Sequence, residues 1–169
     1  YSENDQFYFG SLSGNKEKQV RLLSLLTAAG INAFNPENII DRIWKKFFRI
    51  STAATLTSYY NLPIGKVLDL HTDDLLALAD EFIAVVTAMG ISFPPNSRDE
   101  IIEGQRKMPY NSTTSMHSDF LKGAQTELES ITGYIVQCAK DLNIEVPCYL
   151  KMYNELKTNY TNIYNSPNN

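Results

Sequence analysis

Several polar side chains that could take part in chemistry lie within one short stretch of the chain. In a helix, Ser115 and Asp119 would point the same way, because they are four residues apart. Thr126 with Glu129 three residues later is a capping-box pattern, which predicts that a long helix begins there. Glu127 would then lie in the first turn, where the helix dipole stabilises a carboxylate. The stretch predicts a hydroxyl and two carboxylates at one helix junction, although two ordinary helix caps would give the same pattern.

A lysine far upstream is the candidate proton donor. Lys46 falls within a predicted long helix, and Ile50 and Ala54 follow it at helical spacing on the same stripe. An amine that faces apolar side chains loses hydration, which eases proton transfer near neutral pH. The alternative is that Lys46 extends into water beside Lys45 and Arg49, and position alone leaves both interpretations open.

Other kinds of site are poorly supported. The eight glycines are scattered and form no Gly-x-Gly-x-x-Gly, so the chain carries neither a dinucleotide fingerprint nor a phosphate loop. His71 and His117 are not paired with each other or with a cysteine at ligand spacing. Cys138 and Cys148 also lack such spacing, so we expect no metal and two reduced, structural thiols.

Composition and charge limit the class of protein. A chain of 169 residues that is 43% hydrophobic and 20% charged fits one soluble globular domain. A net charge of −4 argues against a nucleic-acid partner, because phosphate binding needs a basic excess. No apolar run reaches the roughly 18 residues that span a bilayer, and no signal peptide is evident. We therefore expect a cytoplasmic protein with no membrane partner.

Helices are the elements that must position the candidate side chains. Asn35 as N-cap and Pro36 in the first turn predict a helix that runs to about Tyr60. Its predicted apolar stripe consists of Ile39, Ile43, Phe47, Ile50 and Ala54. A broadly apolar helix at 72–89 is predicted to lie in the core, and further helices are predicted to end at Gly123 and to begin at Pro147. About seven helices predict an all-α bundle around a long central helix.

A short aromatic segment, Gln6 to Phe9, is predicted to be a strand or an extended arm. A lone strand in a helical chain has no partner, so we expect it to pair with a missing domain or a second copy, or to be disordered. The chain begins at Tyr1 and enters this strand pattern almost at once, which is typical of a piece of a longer protein.

Three motifs, taken in order, resemble the helical C-terminal domain of ketopantoate reductase (2-dehydropantoate 2-reductase). They are Ile43-Trp44-Lys45-Lys46, Ser115-Met116-x-x-Asp119, and Thr126-Glu127-Leu128-Glu129 followed by Gly133. The resemblance covers nearly the whole chain. It implies a bundle like the C-terminal domain of 6-phosphogluconate dehydrogenase, with a strand or arm at 1–12 left from a missing N-terminal Rossmann domain. The helical substrate-binding domain would occupy 13–164, and 165–169 would form a disordered tail.

The resemblance also implies a reaction, the NADPH-dependent reduction of ketopantoate to pantoate in pantothenate biosynthesis. Lys46 would be the general acid, and Glu127 the catalytic glutamate that binds the substrate hydroxyl. Ser115 would bind the substrate carboxylate, with Asp119 beside it. NADPH would be bound mainly by the missing domain, so the isolated chain is expected to be inactive. A homodimer is one expected assembly.

Three positions depart from the family pattern, which commonly has asparagines there. Ile50 and Ala54 stand four and eight residues after the lysine, and Ile64 stands in the loop after the long helix, with Asn61 nearby as a partial replacement for substrate binding. These departures leave two alternatives open. One is a related reductase of another 2-keto acid, and the other is a non-catalytic helical interaction or dimerisation module.

Overall fold

The computed structural model describes residues 6–12 and 14–165. In chain order the elements are β1 (Phe7–Tyr8), α1 (Lys16–Ala28), β2 (Ala33–Phe34), α2 (Ile39–Tyr60), α3 (Ile64–Leu70), α4 (Thr72–Ala88), α5 (Ser97–Arg106), α6 (Ser115–Lys122), α7 (Thr132–Asp141) and α8 (Pro147–Asn165). The predicted all-α class is confirmed, with eight helices in the described residues where about seven were expected.

The chain divides into two compact units, Tyr1–Lys45 and Lys46–Asn169, and the division falls within α2. The predicted domain ranges of 1–12, 13–164 and 165–169 stay a prediction. The predicted disordered tail lies outside the described residues except for Asn165, where α8 ends.

The first unit contains a strand–helix–strand arrangement that the sequence analysis missed. β1 pairs in parallel with β2, with Phe7 opposite Ala33 and Tyr8 opposite Phe34. The expectation that the strand has no partner within the chain was therefore wrong. A two-residue strand such as β2 carries no alternating pattern, so its pairing depends on backbone hydrogen bonds that a sequence pattern does not reveal.

The long helix begins later than predicted. The Asn38 side chain accepts hydrogen bonds from the backbone N–H groups of Ile40 (3.1 Å) and Asp41 (3.4 Å), so Asn38 supplies the cap that was expected from Asn35. Asn35 and Pro36 precede α2, which starts at Ile39.

Burial along α2 also differs from the predicted apolar stripe. Ile43 is 53% exposed and Ile50 is 39% exposed, whereas every residue from 51 to 58 is buried. Most of these buried residues are small or carry hydroxyl groups. The Ser51 hydroxyl shares a 2.9 Å hydrogen bond with Tyr149 on α8, and the Thr55 hydroxyl shares a 2.8 Å bond with Thr132 on α7.

The apolar core of the second unit forms around α4, as predicted. Leu75, Leu78, Phe82 and Val85 on this helix are fully buried. The Phe82 ring packs against Phe48 of α2, with 4.9 Å between ring centroids. These contacts hold the middle of α2 against α4.

The start of α8 is held by a carboxylate from α4. Glu81 accepts hydrogen bonds from the backbone N–H groups of Cys148 (2.7 Å) and Tyr149 (2.9 Å), which lack partners within their own helix. Burial raises the pKa of Glu81, while these two donors act in the opposite direction. The predicted helix start at Pro147 is confirmed.

Candidate active site

Helix α6 carries Ser115 and Asp119, and hydroxyl groups determine where it begins. Thr114 is the N-cap, and its hydroxyl accepts a hydrogen bond from the backbone N–H of His117 (3.3 Å). The same hydroxyl shares a 2.9 Å hydrogen bond with Thr57 of α2. Ser115 is therefore the first helical residue and is exposed, while Asp119 lies one turn later and is half-buried. The predicted end of this helix at Gly123 is confirmed, since Gly123 has a φ of 62°.

A buried histidine joins the start of α6 to the end of α2. His117 is 5% exposed, and its two ring nitrogens bond to the Thr113 hydroxyl and, at 2.8 Å, to Asn61 Oδ1. Burial lowers the pKa of His117, which favours the neutral ring. Asn61 has a φ of 53°, in the left-handed region that asparagine tolerates. Its oxygen is engaged by His117, so only its amide nitrogen could face a ligand.

Glu127 lies in a turn rather than in the first turn of a helix. The Ile131 N–H donates to the Glu127 carbonyl and the Gly133 N–H to the Leu128 carbonyl, both at 2.9 Å. Because α7 begins at Thr132, the predicted helix start at Thr126 was wrong, and so was the predicted helix-dipole effect on Glu127. The Thr126 hydroxyl does accept a hydrogen bond from the Leu128 N–H (3.4 Å), but the Glu129 half of the predicted capping box is not formed. The Glu127 side chain is exposed. We call the residues from 126 to 131 the Glu127 turn.

One apolar cluster fixes α6 and the Glu127 turn against α2. Its buried members are Ala54 from α2, Met116 from α6, Leu128 and Ile131 from the turn, and Leu156 from α8. Met116 directly follows Ser115 in the chain, and Leu128 directly follows Glu127. The cluster therefore holds both polar side chains at the edge of one packed core.

Lys46 lies on the face of α2 that carries Thr57, the residue bonded to Thr114 before α6. It is eleven residues before Thr57, which is about three helical turns, so the two residues share a face. Thr57 is covered by Thr114 at the start of α6, whereas Lys46 is exposed. Of the two interpretations that position left open, the exposure of Lys46 and of its neighbour Ile50 (39%) favours a side chain that extends into water.

The structure thus brings Ser115 and Glu127 to one cluster and sets Lys46 about 12 Å along the helix axis from Ala54 of that cluster. Within the described residues, the side chains of these three make no hydrogen bond or ion pair with one another. Their arrangement therefore depends on the packing of the backbone elements, and their polar atoms are available to a ligand.

Neither a metal centre nor a membrane segment is found in the part of the chain that the structure describes. No group of three His, Cys, Asp or Glu side chains could hold a metal ion there. No described helix is long and apolar enough to cross a membrane. Neither cysteine forms a disulfide. Burial, and to a smaller extent the negative charge of Glu81, raises the pKa of Cys148 to about 11.

Comparison with known proteins identifies the family. The family model described as ketopantoate reductase PanE/ApbA C terminal matches residues 38–160 of the chain. The chain belongs to this family. The resemblance drawn from the three sequence motifs is therefore confirmed.

Three relatives illustrate the match. The 2-dehydropantoate 2-reductase of Pyrococcus abyssi is 32% identical over 155 residues, covering 84% of this chain and 48% of that protein. The uncharacterized oxidoreductase YkpB of Bacillus subtilis is 25% identical over 159 residues, covering 92% and 52% respectively. Among solved structures, 2-dehydropantoate 2-reductase from Porphyromonas gingivalis superposes with a TM-score of 0.76. Its sequence is 37% identical, and the match covers 92% of this chain and 48% of the reductase chain. The chain spans about half the length of these relatives.

The three positions that depart from the ketopantoate reductase pattern differ in their surroundings. Ala54 and Ile64 are each 1% exposed, so both belong to the core. Only Ile50 is exposed, one turn after Lys46. Of the three, Ile50 alone could contact a bound substrate without rearrangement of the core.

Three groups of supporting contacts could not be read from the sequence. The Thr57–Thr114 bond and the His117–Asn61 bond each join residues more than fifty positions apart. Glu129, expected to cap a helix, instead bonds to Tyr153 on α8. The only sequence signal for the last contact was the i, i+4 spacing of Tyr153 and Lys157.

Proposed function

We propose that the full-length protein is an NADPH-dependent 2-dehydropantoate 2-reductase, and that this chain supplies its substrate-binding and proton-donating residues. The observation that carries the proposal is the placement of Lys46, Ser115 and Glu127. All three are exposed, on elements packed around one cluster, without contacts to one another. Relatives named for this reaction support it.

Each residue has a role that follows from its chemistry. When bound, the reduced nicotinamide supplies a hydride to the keto carbon of the 2-oxo acid. The Lys46 ammonium donates a proton to the keto oxygen as the alkoxide develops, and its positive charge stabilises that oxygen. The product is the 2-hydroxy acid, and water returns the proton to Lys46.

The substrate carboxylate would bind at the start of α6. The Ser115 hydroxyl and the unpaired backbone N–H groups of the first helical turn donate hydrogen bonds there. Glu127 would accept a hydrogen bond from a substrate hydroxyl and so orient the keto group toward Lys46. Asp119 and the amide nitrogen of Asn61 would complete the polar side of the site.

The cofactor would be held mainly by a segment outside this chain, which carries no glycine fingerprint. The parallel pair β1 and β2, joined through α1, supports this part of the proposal. Parallel strands linked by a helix normally belong to larger sheets covered on both faces, and two strands alone are marginally stable. A homodimer and a cytoplasmic location stay predictions.

The test is to assay the full-length protein with NADPH and ketopantoate. Lys46→Ala should lower kcat by about 10²- to 10⁴-fold, because proton transfer by a positioned side chain contributes on that order. Lys45→Ala is the matched control and should retain most of the turnover. Equal turnover by wild-type protein and Lys46→Ala would rule out the proposed role.

A second candidate substrate is a 2-oxo acid with an apolar side group. The exposed Ile50 beside Lys46 favours it, because an apolar side chain there cannot hydrogen-bond a substrate hydroxyl. A screen of 2-oxo acids with wild-type protein and Ile50→Asn distinguishes the two. A clear preference of the wild-type protein for ketopantoate would dispose of the apolar substrate. A non-catalytic module is excluded if an in-frame Gly-x-Gly-x-x-Gly unit precedes the chain and wild-type protein turns over substrate.

A further inference from the structure

The Glu127 turn has little regular structure to hold it. It lies between α6 and α7, and its Ile131 N–H and the Gly133 N–H donate to carbonyls four and five residues earlier. The Thr126 hydroxyl accepts a hydrogen bond from the Leu128 N–H (3.4 Å), and the Ser130 hydroxyl donates to the Glu127 carbonyl (3.1 Å). Leu128 and Ile131 fix its inner side in the apolar cluster. The Glu127 carboxylate is exposed, so its orientation depends on how firmly the turn is held and would gain from further support.

That support comes from α8, through a closed triangle of polar atoms. The Tyr153 hydroxyl donates to Glu129 Oε2 at 2.7 Å, and the Lys157 ammonium lies 3.0 Å from Glu129 Oε1. The same ammonium donates to the Tyr153 hydroxyl at 2.8 Å. The hydrogen bond from Tyr153, with a further contribution from Lys157, lowers the pKa of Glu129, so the carboxylate stays ionised at neutral pH.

The first turn of α7 leaves room for the triangle because residue 133 is glycine. A Cβ atom at Gly133 would lie 2.9 Å from Tyr153 Cε2 and 3.1 Å from Glu129 Oε2. The first distance is shorter than real Cβ contacts and the second is tighter than most of them, so a side chain at this position would require the Tyr153 ring to shift and would crowd the Glu129 carboxylate. Glycine therefore lets the turn, α7 and α8 meet closely at this point.

We propose that Glu129 and Tyr153 are positioning residues that fix the Glu127 turn and thereby orient the Glu127 carboxylate toward substrate. The inference rests on the proposed function insofar as Glu127 binds substrate. Exposed ion pairs contribute little to stability, and the Glu129 and Lys157 side chains are 67% and 52% exposed. Their effect on the orientation of Glu127 should therefore exceed their effect on folding.

The experiment uses the full-length protein with Glu129→Gln and Tyr153→Phe. Each should reduce kcat/KM roughly tenfold, since small misplacements of substrate-orienting groups have large effects on rate. The melting temperature should change little. The matched control is Glu103→Gln, which removes another exposed carboxylate paired with a cation, Arg106, at 3.3 Å on α5. It should leave both quantities unchanged.

Two further measurements separate positioning from a merely structural role. In a Glu127→Gln background, Glu129→Gln should cause no additional loss of kcat/KM; a full additional loss would overturn the proposal. Hydrogen exchange of the Ile131 amide, which bonds to the Glu127 carbonyl, should become faster in Glu129→Gln and not in Glu103→Gln. Unchanged exchange would overturn the proposal even if the wild-type protein reduced no 2-oxo acid, a result that would separately remove the proposed function.

Discussion

Two consecutive parts of α2 have opposite relations to solvent. At residues 46–50, Lys46 and Ile50 are exposed on one side of the helix while Phe48 is buried on the other. At residues 51–58, every side chain is buried, and hydroxyl groups bond to α6, α7 and α8. The enclosed part is covered on every side, whereas the adjacent part is held in the core by Phe48 on one side and is open to solvent at Lys46 and Ile50 on the other.

The difference predicts that stability and the proposed chemistry depend on different parts of α2. Hydroxyl groups of residues 51–58 bond to Thr114 before α6, to Thr132 on α7 and to Tyr149 on α8, and burial of such a group without a partner costs free energy. Residues 46–50 carry no buried hydroxyl group, and Lys46 and Ile50 face solvent. A change at Lys46 or Ile50 should therefore affect the reaction more than folding, whereas a change within 51–58 should do the reverse.

Truncation of an apolar side chain should give the largest contrast in stability. Leu56 is fully buried, so Leu56→Ala should lower the free energy of unfolding by about 2–5 kcal/mol through lost burial and a cavity. Ile50→Ala should lower it by less than about 1 kcal/mol, since this side chain is already partly in water. Urea unfolding measures both, and equal losses would show that the two parts of α2 do not differ.

Removal of a buried hydroxyl should have an intermediate effect. Thr55→Val keeps the shape but leaves the Thr132 hydroxyl without its 2.8 Å partner, which should lower the free energy of unfolding by about 1–3 kcal/mol. Thr158→Val on the exposed side of α8 is the control and should stay within about 0.5 kcal/mol. A loss in Thr158→Val as large as that in Thr55→Val would contradict the importance of the buried pairs.

The smallest effect should appear as a pH dependence at the end of α2. Burial lowers the pKa of His117 in the folded state below the roughly 6.5 of an unfolded histidine. The unfolded chain then binds the proton more readily, so stability is complete above about pH 6.5 and falls as the pH drops toward the lowered pKa of the folded protein.

His117→Gln should remove that part of the pH dependence, even if it lowers stability at every pH. Urea midpoints of both proteins across this range provide the measurement. The same acid-induced loss in wild-type protein and His117→Gln would assign the effect to another group.

Much of the fold could be predicted because local chemistry specifies it. Gly123 ends α6 in a left-handed conformation, Pro147 begins α8, and the apolar run at 72–89 forms a buried helix. The predicted site roles of Lys46, Ser115, Asp119, Glu127 and Asn61 stay predictions, but the motifs that suggested them led to the correct family.

Long-range contacts explain where the sequence patterns failed. Thr126 and Glu129 have the spacing of a capping box, yet Glu129 bonds to Tyr153 and Lys157, and α7 begins at Thr132. A carboxylate that bonds to residues on another helix is not free to cap its own helix, and a local pattern does not reveal the distant partner.

The sequence alone was enough to determine the helical class, the family and the residue types of the candidate site. Their surroundings depended on the folded chain. Contacts between distant segments bury Ala54 and Ile64 and pair β1 with β2. No distant segment covers Lys46 or Ile50 in the part of the chain that the structure describes, so both are exposed. Periodicity reports which residues share a face of a helix, but only the packing of other elements determines which part of that face is covered.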